Sequence, residues 1–199
     1  MRFSSVSLLH ILVASISAHS VSFYKPFTPN IDGQTPLDPA MTLTQESVLI
    51  SDVMGRDRSV NVFAGFARDV EVVAKRLDDS AVNSTVLAPL NSAIDKLPGK
   101  PWEDPNEYSA LGATAYDGDE GRERARRNLR RFVEAHVVPL SPWGENERSR
   151  SLLDSDREIW WEKKGGVMLL QPDGIEIQSV ASKVGNGEVW IIKSVRKYA

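Results

Sequence analysis

The sequence predicts an α+β domain, with helices mostly in the N-terminal half and an antiparallel sheet mostly in the C-terminal half. Between Val62 and Leu77, apolar residues recur every three or four positions, which is the spacing of an amphipathic helix. From Ile159 to Val195, short apolar runs are separated by turn sequences that contain glycine. Helices that precede strands, instead of alternating with them, are typical of α+β domains and argue against a parallel βαβ fold.

The elements of the N-terminal half follow from local signals. Residues 48–54 suit a short helix that stops at Gly55, before the amphipathic helix of 62–77. Residues 85–88 suit a strand whose ladder is stopped by Pro89. Asn91 is then placed to cap a short helix that reaches Leu97.

Residues 99–119 contain two prolines and two further glycines after Gly99, and we expect them to form a loop-like insert. Glu120–His136 is predicted to be helical, because Ala125, Leu129, Phe132 and His136 share one face. The many arginines of this helix are interspersed with glutamates, which indicates a solvated face rather than a nucleic-acid contact.

The C-terminal half is predicted to consist of strands. An extended stretch at 137–139 leads into a polar loop at 141–156. A strand at 159–162 and a hairpin, with arms at 166–170 and 175–180, follow. Gly185-Asn186-Gly187 then turns the chain into a last strand at 188–195.

Composition narrows the class of protein. The 199 residues suffice for one well-filled domain, with 41% hydrophobic and 26% charged residues as in ordinary globular proteins. A formal charge of −3 does not favour nucleic acid as a partner. The absence of cysteine excludes disulfides, thiol nucleophiles and thiolate metal sites.

The N-terminus predicts a secretory signal peptide over residues 1–20. Met1 and Arg2 precede an apolar run at 6–16, and small residues at Ala18 and Ser20 offer a cleavage site after Ser20. An uncleaved anchor or a buried strand is the alternative. The four prolines of residues 21–45 indicate an extended lead-in, and 46–199 is predicted to form one domain. We expect a location in the secretory pathway, with no stable membrane span and no lipid-anchor signal in the polar tail.

Few groups suited to catalysis are available, so no catalytic, cofactor or metal residues are assigned. The motifs of serine hydrolases, zinc proteases, phosphate-binding loops and dinucleotide sites are missing from the sequence. His136, on an apolar face, is expected to be a buried core histidine. The alternative is a small carboxylate-dependent hydrolase or lyase that uses carboxylates such as Asp154, Asp156 and Glu158. The acid pairs Asp154 with Asp156 and Asp117 with Asp119 could recruit calcium weakly, but we expect them to be solvated loop acids.

Three sequence blocks resemble the fasciclin-like adhesion domain family. Residues 85–94 read TVLAPLNSAI and resemble its first signature. Residues 132–139 read FVEAHVVP and resemble its central helix-to-strand block, and residues 185–195 read GNGEVWIIKSV and resemble its second signature. Together with the helices that begin near Ser47, the resemblance covers residues 47–198.

The resemblance implies a wedge of two β-sheets flanked by helices, and a non-enzymatic role in adhesion or interaction within the secretory pathway, extracellular or in a vacuolar lumen. It also implies that the motif residues order the fold: Thr85, Pro89, Asn91, His136, Pro139, Asn186 and Gly187. The sequence departs from the family pattern at Ala135, Trp190 and Lys193. It has neither an Asp-Ile pair near residue 181 nor an Arg-Gly-Asp motif, so integrin binding is not predicted.

A protein or glycan partner is expected, and no cofactor. The candidate binding surface comprises Trp102, Trp143, Trp160 and Arg127, on the expectation that the segments 99–119 and 141–156 converge. The alternative of a glycan- or lipid-binding module would use these loop tryptophans together with Trp161, although tryptophans more often fill or cover a core. Asn83 begins the sequon Asn83-Ser84-Thr85 and is the predicted glycosylation site.

Overall fold

The structure, a computed structural model, describes residues 48–153 and 157–198, which belong to one compact unit. The predicted signal peptide (1–20), the lead-in (21–45) and the start of the domain at residue 46 lie outside the described residues. So do Asp154 and Asp156. Those assignments therefore stay predictions.

Helices dominate the first half of the described chain, as the sequence predicts. Their bounds are α1 Ile50–Val53, α2 Asn61–Asp69, α3 Glu71–Leu77, α4 Asn91–Ile94, α5 Pro105–Leu111 and α6 Gly118–Glu134, with short 3-10 turns at Arg58–Val60 and Gly112–Thr114. The helix predicted from Val62 to Leu77 is interrupted at Val70, where the backbone is extended and the side chain stays buried. The helix expected to reach Leu97 ends at Ile94.

The prediction of a loop over 99–119 is wrong, because this segment contains α5. The side chain of Asp104 accepts a hydrogen bond from the backbone N–H of Asn106 at 2.8 Å, which caps the helix. Pro105 occupies its first position, where the missing N–H costs nothing. We call residues 99–117 the insert below.

Six strands form one sheet in the order β2-β1-β6-β5-β4-β3. Their bounds are β1 Ser84–Pro89, β2 Val137–Val138, β3 Trp160–Lys164, β4 Val167–Gln171, β5 Ile175–Val184 and β6 Gly187–Ile192. All neighbours are antiparallel except β1 and β6, which pair in parallel from Ser84 opposite Gly187 to Pro89 opposite Ile192. The α+β class is confirmed, but the expectation of a purely antiparallel sheet is wrong for this central pair.

The two-sheet wedge takes the form of one curled sheet. Trp161 in β3 lies three strands from Trp190 in β6, yet their ring centroids are 5.7 Å apart. Three strand spacings in a flat sheet would separate them by about 14 Å. The sheet therefore folds back on itself, and two irregularities in β5, after Ile177 and after Val180, lie in the curving part.

The central strands are buried on both faces and divide the interior into two cores. Val86 and Ala88 of β1 join Val189 and Ile191 of β6 in a core that faces the helices. The alternate residues, including Leu87 and Trp190, belong to a second core enclosed by the curled strands. This alternation follows from the two-residue period of a strand.

Candidate interaction site

The insert is held against α6 by a polar cluster around Glu107. Tyr116 donates its hydroxyl to Glu107 Oε2 at 3.1 Å, and the same hydroxyl accepts the backbone N–H of Asp104 at 2.5 Å. The buried Asn128 of α6 donates to Glu107 Oε2 at 2.8 Å and to the Trp102 carbonyl at 3.2 Å. Arg127 completes the cluster with an ion pair to Glu107 Oε1. The cluster thus fixes both ends of the insert.

The charges in this cluster are matched. Burial raises the pKa of Glu107, but the hydrogen bonds from Asn128, Tyr116 and Arg127 outweigh it and leave this pKa below its usual value. Burial, with the nearby Glu107 carboxylate, raises the pKa of Tyr116. Tyr116 therefore remains a donor and Glu107 an ionised acceptor over a wide pH range.

Docking of the insert creates a half-open pocket of about 510 Å³, which we call the insert pocket. Its apolar lining comes from Leu97, Pro98, Pro105, Tyr108 and Tyr198, and its charged lining from Lys100, Glu103 and Asp104. The Tyr108 side chain is 52% exposed, so its ring is accessible from the pocket. A smaller cavity continues from Asp104 to Arg131 and Asn128. The pocket offers aromatic faces with charges of both signs at its rim.

One wall of the insert pocket depends on the segment after β6, residues 193–198, which we call the C-terminal strap. Its Tyr198 ring meets Phe132 edge-on with centroids 5.0 Å apart. Burial, with the nearby Asp104 carboxylate, raises the pKa of Tyr198. Tyr198 thus links the pocket to the core through Phe132.

His136 anchors the strap, as a fully buried residue. Its Nδ1 lies 2.7 Å from the Phe132 carbonyl, so the proton is assigned to Nδ1 and Nε2 accepts the backbone N–H of Arg196 at 3.0 Å. Burial, together with the Arg196 charge, lowers the pKa of His136 to about 3 against the opposing effect of the hydrogen bond to Phe132. The neutral histidine therefore orders the chain and is not placed to act as an acid or a base.

Arg196 secures the strap a second time. Its guanidinium donates to the Ala135 carbonyl, and its Nε lies 3.8 Å from Oδ2 of the buried Asp173. Arg157 approaches the other carboxylate oxygen of Asp173 at 3.2 Å. Burial lowers the pKa of Arg196 while Asp173 opposes that change. The strap is thus bound to the hairpin turn between β4 and β5.

Most of the motif residues hold the central strands together. Thr85 donates its hydroxyl to the Leu140 carbonyl at 2.6 Å, and Pro89 is the last residue of β1. Asn186 accepts the N–H of Ile50 at 2.8 Å and donates to the carbonyls of Leu77 and Asp79. Gly187 has a φ of 146° and packs so closely that a Cβ would lie 1.8 Å from the Ser84 carbonyl oxygen.

The two other motif residues are Asn91, which makes different contacts from those predicted, and Pro139, which is exposed. Asn91 does not cap α4 with its side chain. Instead it accepts the N–H of Val62 at 3.1 Å and donates to the Arg58 carbonyl at 2.8 Å, so it positions the start of α2. Pro139 is exposed just after β2. Asn83 is also exposed, with its amide 3.1 Å from the Ser141 carbonyl, and its glycosylation stays a prediction.

The structure does not assemble the predicted binding surface. Trp143 is only 4% exposed and stacks on Trp190 with centroids 5.6 Å apart, so its assignment to a surface is wrong. Trp160 is half-buried, and Arg148 lies over its ring with the guanidinium carbon 4.2 Å from the ring centroid. Trp102 lies in the docked insert and Arg127 lies on α6, where it pairs with Glu107 of the insert, whereas Trp143 and Trp160 belong to the region around β3.

Trp143 is buried in the second core, with Trp161 packed against it, because the curled sheet encloses both side chains. Trp161 donates its indole N–H to the Trp143 carbonyl at 3.1 Å, and Trp143 donates to the Glu147 carbonyl at 2.8 Å. Each buried indole thus has a hydrogen-bond acceptor, as buried tryptophans usually do. The glycan-binding alternative based on these tryptophans has no exposed pair of rings here.

The carboxylates proposed for hydrolysis are only partly described. Glu158 is exposed and lies 3.4 Å from Arg148, and Asp119 forms an ion pair with Arg122. In residues 48–153 and 157–198, no three histidine, aspartate or glutamate side chains are arranged to hold a metal ion. Over the same residues, every helix is too short or too polar to cross a bilayer.

The residues that build the insert pocket, Tyr108 and Tyr198, and the polar cluster beneath it were not predicted from the sequence. A usable signal existed: Asp104-Pro105 is a cap followed by proline at the first helical position, which predicts the start of a helix. The role of Tyr198 had no comparable local signal.

Known proteins resemble both this sequence and this fold. No protein-family model matches the chain. A FAS1 domain-containing protein of Neurospora crassa is 58% identical over 168 residues, covering 84% of this chain and 71% of that protein. Another from Aspergillus fumigatus is 47% identical over 154 residues, covering 77% and 65% respectively. A FAS1 domain-containing protein of Emericella nidulans is 48% identical over 147 residues, covering 73% and 60%.

A solved structure has the same fold. It is a FAS1 domain pair from the insect cell adhesion molecule Fasciclin I, with a TM-score of 0.51 at 10% identity, covering 75% of this chain and 51% of that chain. The fold and the buried motif residues therefore define a fasciclin-type domain. The chain belongs to the family of FAS1 domain-containing proteins, and it spans 60–71% of the length of the three fungal relatives described above.

Proposed function

We propose that this chain is a non-enzymatic interaction module of the secretory pathway, extracellular or in a vacuolar lumen. On this proposal it binds a protein or glycan partner through the insert pocket. The observation that carries the proposal is the pocket of about 510 Å³ that joins the exposed Tyr108 ring to Tyr198 and to charges of both signs. Aromatic side chains with nearby polar groups supply contact area and orientation in many recognition sites.

Two further observations support it. The curated relatives share the domain, and the structural neighbour is described as a cell adhesion molecule. The charged, apolar and small-residue segments of residues 1–20 have the order of a signal peptide. Neither the location nor the partner follows from the domain alone, because one fold can serve many functions.

Screening on a glycan array and a panel of extracellular proteins tests the binding site. We expect a saturable partner whose binding is lost in Tyr108→Ala and retained in Trp160→Ala, since Trp160 lies outside the pocket. Both variants should keep the thermal midpoint of the parent within a few degrees. Binding that is lost only in Trp160→Ala would move the site to β3, and no binding at all would contradict the proposal.

Processing and location have a separate test. Expression in the native host should yield a mature N-terminus at Val21 and recovery from the medium or the vacuolar fraction. Treatment with an endoglycosidase should shift the mobility of the parent but not of Asn83→Gln. Recovery of the full-length chain in the cytosol would contradict this part of the proposal.

A further inference from the structure

A second pocket, of about 470 Å³, lies between the turn that follows α1 and the irregular part of β5. Arg56, Asp57 and Arg58 line one side, and Ser179 and Ser182 line the other. Met54 and Val189 provide an apolar floor between them. We call it the arginine–serine pocket, and it shares no lining residue with the insert pocket.

The arginines of this pocket differ from most of those in α6. Four arginines of α6 have a carboxylate partner: Arg122, Arg124, Arg127 and Arg130. Within the described part of the chain, the guanidinium groups of Arg56 and Arg58 have neither an ion pair nor a hydrogen bond. Arg68, whose Nη2 packs against Gly55, adds a third such group next to the pocket. Three guanidinium groups without a carboxylate partner in the described residues thus lie in or next to this pocket.

The single carboxylate in the lining does not neutralise these arginines by direct contact. Asp57 Oδ1 accepts the backbone N–H of Ser59 at 2.8 Å and caps the turn at Arg58–Val60. Its hydrogen bonds with Ser59 lower the pKa of Asp57, so the carboxylate is stable as a backbone acceptor. The pocket therefore contains the two guanidinium groups of Arg56 and Arg58 but one carboxylate, which already accepts a backbone hydrogen bond.

The irregular geometry of β5 explains why both serines reach the same pocket. In a regular strand, residues three positions apart point to opposite faces. A register shift between Val180 and Ser182 changes this alternation, so Ser179 opposite Ile191 and Ser182 opposite Val189 both line the cavity. Their hydroxyls have no hydrogen-bond partner within the described residues and can donate to a ligand.

We propose that the arginine–serine pocket binds a sulfate or phosphate ester carried by a sugar ring. Guanidinium groups bind tetrahedral oxyanions through paired N–H donors, and serine hydroxyls supply further donors. An oxyanion alone would leave most of the cavity empty, whereas the exposed Ala181 in its lining offers an apolar surface to a sugar ring. This inference goes beyond the proposed function and does not depend on the insert pocket.

Calorimetric titration of the full chain tests the inference, with glucose 6-sulfate, glucose 6-phosphate and glucose as probes. We expect saturable binding of at least one ester and none of glucose, and the tighter ester identifies the anion. Arg56→Gln and Arg58→Gln should each weaken binding about tenfold or more, since each removes a charged donor. Ser182→Ala should weaken it about tenfold, as expected for one hydrogen bond from a hydroxyl to an ionised oxygen.

Arg126→Gln is the matched control, because it removes the same charge at another site. Arg126 is exposed on α6 and has no partner within the described residues. Its binding should equal that of the parent, and all variants should have the parent's circular dichroism and thermal midpoint. An equal loss in Arg126→Gln would show an effect of total charge and overturn the inference. The inference would also be overturned if neither ester bound, or if a single-stranded oligonucleotide bound and the esters did not.

Discussion

The β1–β6 pair and the insert are held in place by opposite kinds of interaction. The strands are buried on both faces, and Gly187 lets their backbones approach where any Cβ would collide. The insert buries none of its helix α5 completely and depends on a polar cluster around Glu107. Loss of one interaction should therefore disrupt the whole fold in the first region, but only a local segment in the second.

The largest effect is expected for Gly187→Ala. Its Cβ would lie 1.8 Å from the Ser84 carbonyl oxygen, and its φ of 146° disfavours any L side chain. We expect the free energy of unfolding to fall by about 4 kcal/mol or more, measured by urea denaturation. Gly165→Ala is the control, since Gly165 also has a positive φ but open space around it, and it should cost about 1 kcal/mol. Equal losses would contradict the importance of the close approach.

Truncation of a buried indole should be nearly as severe. Trp143→Ala removes a ring that stacks on Trp190, and we expect a loss of about 3–5 kcal/mol in the free energy of unfolding. Trp160→Ala removes a half-buried ring covered by Arg148, and about 1 kcal/mol is expected. Denaturation of both variants under one condition gives the comparison. A loss for Trp160→Ala as large as that for Trp143→Ala would show that both rings belong to the core.

Acid should weaken the central region through His136. Its folded-state pKa of about 3 lies below the ordinary value of 6.5, so the unfolded chain binds the proton more tightly. The stabilisation is complete above pH 6.5 and is lost as pH falls towards 3, by about 1.4 kcal/mol per pH unit. Between pH 7 and 5 we expect a loss of about 2 kcal/mol.

Denaturation across that pH range checks this in a chain carrying His10→Gln and His19→Gln, which leaves His136 as its only histidine. Carboxylates remain mostly ionised at pH 5, so they contribute little to the slope. Adding His136→Gln should lower stability at pH 7 but flatten the dependence. A flat profile with His136 present would contradict the buried neutral histidine.

A smaller and local effect is expected for Asn128→Ala. It removes donors to Glu107 Oε2 and to the Trp102 carbonyl, at a cost of about 1–2 kcal/mol. Hydrogen exchange should accelerate over residues 99–117 while β1 and β6 stay protected. Arg126→Ala, at an exposed position of the same helix, should change neither. Faster exchange in β1 would show that the insert supports the whole fold.

The smallest change in stability is expected for Tyr108→Ala. The ring is 52% exposed, so its removal should alter the free energy of unfolding by about 0.5 kcal/mol or less. Denaturation measures this value, and partner binding should nevertheless be lost. A loss of several kcal/mol would show that Tyr108 stabilises the insert.

Several elements of the fold could be predicted from local signals in the sequence. Thr85–Ala88 as a strand, the turn at Gly185–Gly187, the helix of α6 and the burial of His136 all follow from spacing, glycine and apolar periodicity. The resemblance of the three motif blocks also predicted the family correctly. Residues of these blocks form the strands β1, β2 and β6. These features depend on neighbours within a few positions, which a sequence displays directly.

Contacts between residues far apart in the chain could not be predicted from the sequence and are seen in the folded protein. The parallel pairing of β1 with β6, the burial of Trp143 and the contact of Tyr198 with Phe132 join residues far apart in the chain. The interruption at Val70 and the hydrogen bond of Asn91 to the start of α2, in place of a cap on α4, likewise depend on packing against other elements. Periodicity indicates which face of an element is buried, but it does not specify the partner, since many apolar surfaces can satisfy the same burial. Both the insert pocket and the arginine–serine pocket likewise join residues from distant parts of the chain.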